Sequence, residues 1–123
     1  RKIIMKFCWS TLYVKDLDES IQFYEGVIGL PLVRRFNAGE QTEIAFLGGG
    51  ETQVELIQDA GRPGGNVGAD ISWGFAVDSL EQAFESMKEK DIKLLSDIIQ
   101  PNPHSRFFFV EDPNGFKVQI AQI

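Results

Sequence analysis

The strongest constraint on this chain is that it repeats itself. A displacement of 63 residues places Val14 on Val77, Asp16 on Ser79, Leu17 on Leu80, Ile21 on Phe84, Ile44 on Phe107 and Phe46 on Phe109. One extra residue in the later hairpin raises the displacement to 64, which places Val54, Glu55 and Leu56 on Val118, Gln119 and Ile120. Side chains alternate faces along a strand, so a slip of one residue would turn every apolar position inside out. A register that keeps apolar on apolar over this span argues for two copies of one structural unit.

Each copy reads as β-α-β-β-β. In the first, Lys6 to Val14 alternates as a strand, and Asp16-Leu17-Asp18-Glu19 forms a capping box for a helix whose apolar face is Leu17, Ile21, Tyr24 and Ile28. Gly29 suits a left-handed C-terminal cap, and Pro31 forbids continuation. Strands are expected over Leu32 to Phe36, Glu43 to Leu47 and Gln53 to Ile57. In the second copy a strand from Ile71 to Val77 precedes the capping box Ser79-Leu80-Glu81-Gln82. A helix marked by Leu80, Phe84 and Met87 then runs to about Asp91, followed by strands over Lys93 to Ile98, Arg106 to Glu111 and Lys117 to Ile123. Asp112-Pro113-Asn114-Gly115 supplies the turn chemistry between the last two. The fold class is therefore α+β: two tandem modules, 1–58 and 71–123, joined by the glycine-rich linker 59–70. That linker is no phosphate loop, because no Gly-Lys-Ser/Thr ending or helix start follows it.

One face of each sheet must cover its helix. Leu12 and Val14, Ile44 and Phe46, Val54 and Leu56, with their repeat partners, are expected there. The opposite face then carries Trp9, Thr11, Tyr13, Glu43, Ala45, Gln53 and Glu55 from the first copy. From the second it carries Ser72, Gly74, Ala76, Arg106, Phe108, Lys117 and Gln119. Aromatic walls with a few polar heads suit a ligand site.

Bulk properties narrow the function classes. Twelve basic against eighteen acidic residues give a net charge of −6, which repels phosphate backbones and anionic lipid, so no nucleic-acid or membrane partner is expected. No run of 18 apolar residues and no signal-like start is evident, which points to a cytoplasmic protein. The lone Cys8 makes no internal disulfide and is expected as a small core residue.

Three segments carry a resemblance: Val14-Lys15-Asp16-Leu17-Asp18-Glu19-Ser20-Ile21-Gln22-Phe23-Tyr24, Gly29-Leu30-Pro31-Leu32, and Phe109-Val110-Glu111-Asp112-Pro113-Asn114-Gly115. Together with the repeat they resemble the vicinal oxygen chelate superfamily of glyoxalase I, bleomycin- and fosfomycin-resistance proteins, extradiol dioxygenases and methylmalonyl-CoA epimerase. The resemblance implies paired modules forming a cup of curved mixed sheet with helices outside, closed within one chain or across a swapped dimer. We expect a homodimer, since each half leaves a sheet face open.

In glyoxalase-like members the resemblance implies metal ligands at the positions held here by Trp9, Glu55, Ser72 and Gln119, of which only Glu55 retains the family's residue type. No metal and no cofactor are therefore expected. The single histidine, His104, lies on a loop before the seventh strand, as a solvated residue or a pocket-rim contact.

The leading expectation is a protein that binds a small molecule in a metal-free cup. Trp9, Tyr13 and Phe108 would stack on the ligand, Glu55, Arg106 and Gln119 would orient its polar groups, and Thr11, Ser72 and His104 would complete the lining. Arg106 has the alternative of pairing with Glu43, and Trp9 of filling a vacated metal site. A second reading makes Glu55 the general base of a metal-independent isomerase or lyase. A third, lactoylglutathione lyase activity with a divalent metal, requires ligands that these positions lack.

Overall fold

Asp16 and Ser79 have extended backbone and turn side-chain oxygens onto amides three residues ahead. Asp16 Oδ1 accepts from Glu19 N at 3.0 Å and Ser79 Oγ from Gln82 N at 3.3 Å. Each satisfies a first-turn N–H that has no partner inside its helix. In the computed structural model, which describes residues 2–123, these caps open α1 (Leu17–Ile21) and α2 (Leu80–Glu89). The first helix then widens into a π-helical segment, Gln22–Val27, closed by Gly29 at φ 95°. The wider turn brings Phe23 and Tyr24 together into the core and leaves Ile28 half-buried, where a uniform helical period expected Tyr24 and Ile28.

The expected α+β architecture of two β-α-β-β-β modules is present. The unit ending at Gly65 contains β1 (Trp9–Tyr13), β2 (Leu32–Asn37), β3 (Thr42–Leu47) and β4 (Gln53–Asp59). The unit from Asn66 contains β5 (Ser72–Ala76), β6 (Ile99–Asn102), β7 (Ser105–Glu111) and β8 (Lys117–Gln122). Each has its own four-stranded sheet, ordered β1-β4-β3-β2 and β5-β8-β7-β6. The first strand of each module pairs in parallel with the last, and the other pairs are antiparallel. Among the described residues no helix is long and apolar enough to cross a membrane.

Two local expectations are corrected. Strand β1 begins at Trp9, so Cys8 precedes it and is exposed instead of lying in the core. In the second module the strand expected over Lys93 to Ile98 is displaced to Ile99–Asn102. The earlier residues do run beside β7, with Leu95 N donating to Phe109 O and Glu111 N to Lys93 O. But Ser96 Oγ accepts from Phe109 N at 3.0 Å, and a hydroxyl in place of a backbone acceptor interrupts the ladder.

A larger correction concerns the third strand of each module. Directly opposed residues of a ladder share a face, and Ala45 opposes Leu56 while Phe46 opposes Glu55. In β7, Phe108 opposes Ile120 and Phe109 opposes Gln119. Ala45, Leu47, Phe108 and Val110 therefore face the helices and are buried, while Ile44, Phe46, Phe107 and Phe109 lie on the opposite face. This reverses the expected faces in both copies together, so the 63-residue equivalence is undisturbed.

The reversal has a physical source: Glu43 and Arg106 lie on the helix side, where each is held in an ion pair. Arg35 bonds Glu43 at 2.6 Å and Asp18 of α1 at 2.7 Å, which raises its guanidinium above the usual arginine range, chiefly through the Glu43 hydrogen bond. Arg106 pairs with Glu81 of α2, not with Glu43.

A second tie between helix and sheet had no counterpart in the expectations. Gln58 Oε1, from β4, accepts from Leu17 N at 2.6 Å, and Gln122 Oε1, from β8, accepts from Leu80 N at 2.9 Å. Each glutamine satisfies another orphan amide of the first helical turn. The 64-residue displacement carries one exactly onto the other. In the last hairpin, buried Asp112 plays a similar part, its Oδ1 accepting from Asn114 N and Phe116 N at 2.8 Å each.

Candidate functional site

The registers lay out the uncovered face of the first module as rows across its four strands. One row runs Arg34, Phe46, Glu55, Thr11, and the next runs Phe36, Ile44, Ile57, Tyr13. Trp9 opposes Gln53 at the near end of β1 and reaches diagonally to Phe46, with ring centroids 5.3 Å apart and the planes at 69°. Phe36 stacks on Phe46 from the other side at 6.3 Å. These neighbours leave the Phe46 ring only 3% exposed, whereas Trp9 remains 46% exposed. The result is an aromatic platform whose accessible surface is shared between the Trp9 indole and the Phe36 ring.

Polar groups are set into that platform. Thr11 Oγ1 donates to Glu55 Oε1 at 2.5 Å, a charge-assisted bond that fixes the carboxylate within its row. The Arg34 guanidinium lies 4.3 Å from the Phe46 ring centroid and 5.5 Å from that of Phe36, and Arg62 lies 3.8 Å from the Tyr13 ring. Gln53 is turned away to its own hairpin, donating Nε2 to Gly48 O at 3.2 Å. The position of Arg62 depends on the turn after β4. Gly64 there has φ 77°, and a Cβ on it would lie 2.7 Å from Tyr13 O.

Of the expected site residues, Trp9, Thr11, Tyr13 and Glu55 thus come together on one face. In the second module Ser72 and Gln119 share the uncovered face, Ser72 opposing Lys117 and Gln119 lying opposite both Gly74 and Phe109. His104 sits at the exposed tip of the β6–β7 hairpin, its N–H donating to Asn102 Oδ1 at 2.8 Å.

Two residues are corrected. Phe108 is 0% exposed and packs edge-on against Phe84 of α2 at 5.1 Å, so it belongs to the core. Arg106 lies on the same side, engaged by Glu81, whose carboxyl its hydrogen bond holds below the usual range. The residues missed are Phe46, Phe36, Arg34 and Arg62. The first three would have followed from pairing β3 with β4 so that Glu55 faced outward, since that forces Phe46 and its β2 neighbour outward too. Arg62, in an irregular turn, gave no periodic signal. A pocket of about 360 Å³ lined by Val14, Lys15, Gln41, Gln58, Asp59, Ala60 and Pro63 involves none of the expected site residues.

The sequence pattern of the glyoxalase/bleomycin resistance protein/dioxygenase superfamily matches residues 6–120. The chain belongs to this superfamily. A probable lactoylglutathione lyase of Synechocystis sp. is 29% identical over 120 residues, covering 89% of this chain and 88% of that protein. Among solved structures, the trypanothione-dependent glyoxalase I of Leishmania major aligns with a TM-score of 0.84 at 21% identity, over 97% of this chain and 87% of that one. An antibiotic binding protein from Streptomyces sp. CB03234 aligns with a TM-score of 0.77 at 17% identity, over 99% and 98%. The glyoxalase fold is thus shared with an enzyme and with a binding protein, and the side chains must separate the two.

For a glyoxalase-type metal the donors present are poor. Among the described residues of each module, no three His, Cys, Asp or Glu side chains converge. The ligand positions implied by the resemblance hold an indole that only donates, a carboxylate already accepting from Thr11, a hydroxyl and an amide. Within neither module do these positions supply the several imidazole, thiolate or carboxylate donors that a divalent transition ion requires.

Proposed function

We propose that this superfamily member binds a small organic molecule against the face carrying Trp9, Thr11, Tyr13 and Glu55, and does so without a transition metal. The observation that supports this most is the environment of Glu55. The one acidic residue at an implied ligand position is bonded to Thr11 and shares its face with an exposed indole and a buried phenylalanine. A planar or apolar ligand would cover Trp9, and Glu55 would accept a hydrogen bond from it. We extend the proposal to a cytoplasmic homodimer: each sheet leaves one face uncovered within its own module, and an exposed free thiol at Cys8 suits a reducing compartment.

Titration with aromatic ligands tests the reading, because Trp9 fluorescence is expected to be quenched. Quenching in Trp9→Ala equal to that of wild type would remove Trp9 from the site. Elemental analysis of protein purified without chelator is expected to find no stoichiometric metal, and about one nickel or zinc per chain would overturn the metal-free part.

The Thr11–Glu55 contact favours a second reading, in which Glu55 abstracts a proton from a carbon acid in a metal-independent isomerase or lyase. The hydrogen bond from Thr11 holds the Glu55 carboxylate in one place on the open face, and a general base must be positioned within reach of the proton it takes. Deuterium exchange from solvent into candidate carbon acids decides it: the second reading expects exchange that is lost in Glu55→Gln, and equal exchange by both proteins removes it.

A further inference from the structure

The four described arginines divide sharply by face. Arg35 and Arg106, on the helix sides, are bound by carboxylates. Arg34 and Arg62, toward the uncovered face of the first module, lie over aromatic rings and take part in none of the ion pairs among the described residues. Scarcity of acids does not explain this, because the chain has eighteen Asp and Glu against twelve basic residues. Adjacent residues of one strand show the contrast most clearly: Arg35 takes both Asp18 and Glu43, and Arg34 takes neither. Glu55 shares a row with Arg34 but is separated from it by the whole of β3, roughly 10 Å at ordinary strand spacing.

A guanidinium lying over a ring is held there by the ring's negative face while its in-plane N–H groups stay available. That arrangement prepares a planar fork for a carboxylate and lowers the ordering cost of binding one. We propose that this face is an organic-anion site with Arg34 and Arg62 as its cationic poles. The inference rests on the binding reading above and supplies its ligand class. The ligand is an aromatic or apolar carboxylate: its body covers Trp9 and its carboxylate meets Arg34, beside Phe46, or Arg62, beside Tyr13.

The probes are 4-nitrobenzoate and its neutral counterpart 4-nitrobenzamide, followed by quenching of Trp9 fluorescence with Trp9→Ala as the background for Trp73. Wild type is expected to bind the carboxylate about tenfold more tightly than the amide, as a charged hydrogen bond allows. Added salt should shrink that preference. The Arg34→Met/Arg62→Met double variant keeps an apolar stem over each ring and is expected to bind both probes with the wild-type affinity for the amide. Should the double variant fail to fold, Arg34→Lys/Arg62→Lys decides the same point, because a point charge without the fork is expected to lose part of the preference. Equal affinity for the two probes in wild type, or a preference undiminished in the folded variants, overturns the anion site and leaves the binding face standing. Quenching by neither probe removes both.

Discussion

Phe108 and Phe109 are neighbours with opposite fates. Phe108 lies wholly buried against Phe84, while Phe109 lies half-buried on the other face beneath the Lys117 ammonium, 5.3 Å from its ring. Phe108→Ala is therefore expected to cost about 3–5 kcal/mol of stability, the range for a large core truncation. Phe109→Ala, which opens no enclosed cavity, should cost less than about half of that. Urea unfolding of the pair checks the face assignment directly, and equal losses would contradict it. The Arg106–Glu81 pair makes a prediction in pH. Glu81 has its carboxyl held below the ordinary value, first by Arg106 and then by its own backbone, so its contribution is present above the unfolded-state value and fades as pH falls through the folded one. Arg106→Met should then be less stable than wild type near pH 7, and the difference should close as pH falls through the lowered folded-state value of Glu81, below which the carboxyl is protonated in both. Since Glu81 is more than half exposed, the difference is expected to be small.

At the scale of elements, each helix start is held twice, once by its own cap and once by a glutamine from the last strand of its module. Asp16→Ala and Ser79→Ala should each cost about 1 kcal/mol. Gln58→Leu and Gln122→Leu should cost about as much again, because each leaves an amide without its acceptor. Thermal melts of the four variants test whether the two ties are comparable. Gly64→Ala should lower the midpoint as well, since its Cβ would collide with Tyr13 O, and should weaken the hold of Arg62 on the Tyr13 ring.

The caps were legible in the sequence because capping boxes are local, and the strand order of residues was legible because turns and alternation are local too. What failed was the outward direction of β3 and β7. Phe107-Phe108-Phe109-Val110 and Ile44-Ala45-Phe46-Leu47 are apolar on both faces, so alternation carried no information there. Glu43 and Arg106, polar residues in these strands, suggest the solvent side by their chemistry alone. In fact Arg35, Asp18 and Glu81 provide the charges that allow them to point inward. The π-helical turn and the Ser96 break escaped for a related reason: both arise from contacts distant in sequence or from a ring of hydrogen bonds that periodicity does not record.

For the whole molecule, light scattering is expected to give twice the chain mass, and a monomer at micromolar concentration would end the homodimer proposal. The two copies differ in one respect. The helix acids Asp18 and Glu81 occupy equivalent places, but the sheet residues opposite them, Glu43 and Arg106, carry opposite charge, and the first module needs Arg35 as an intermediary. A recombinant in which β3 alone replaced β7 would set two carboxylates against each other with no cation between them. The two halves are therefore not interchangeable at this position, and grafting β3 in place of β7 is expected to destabilise the second module.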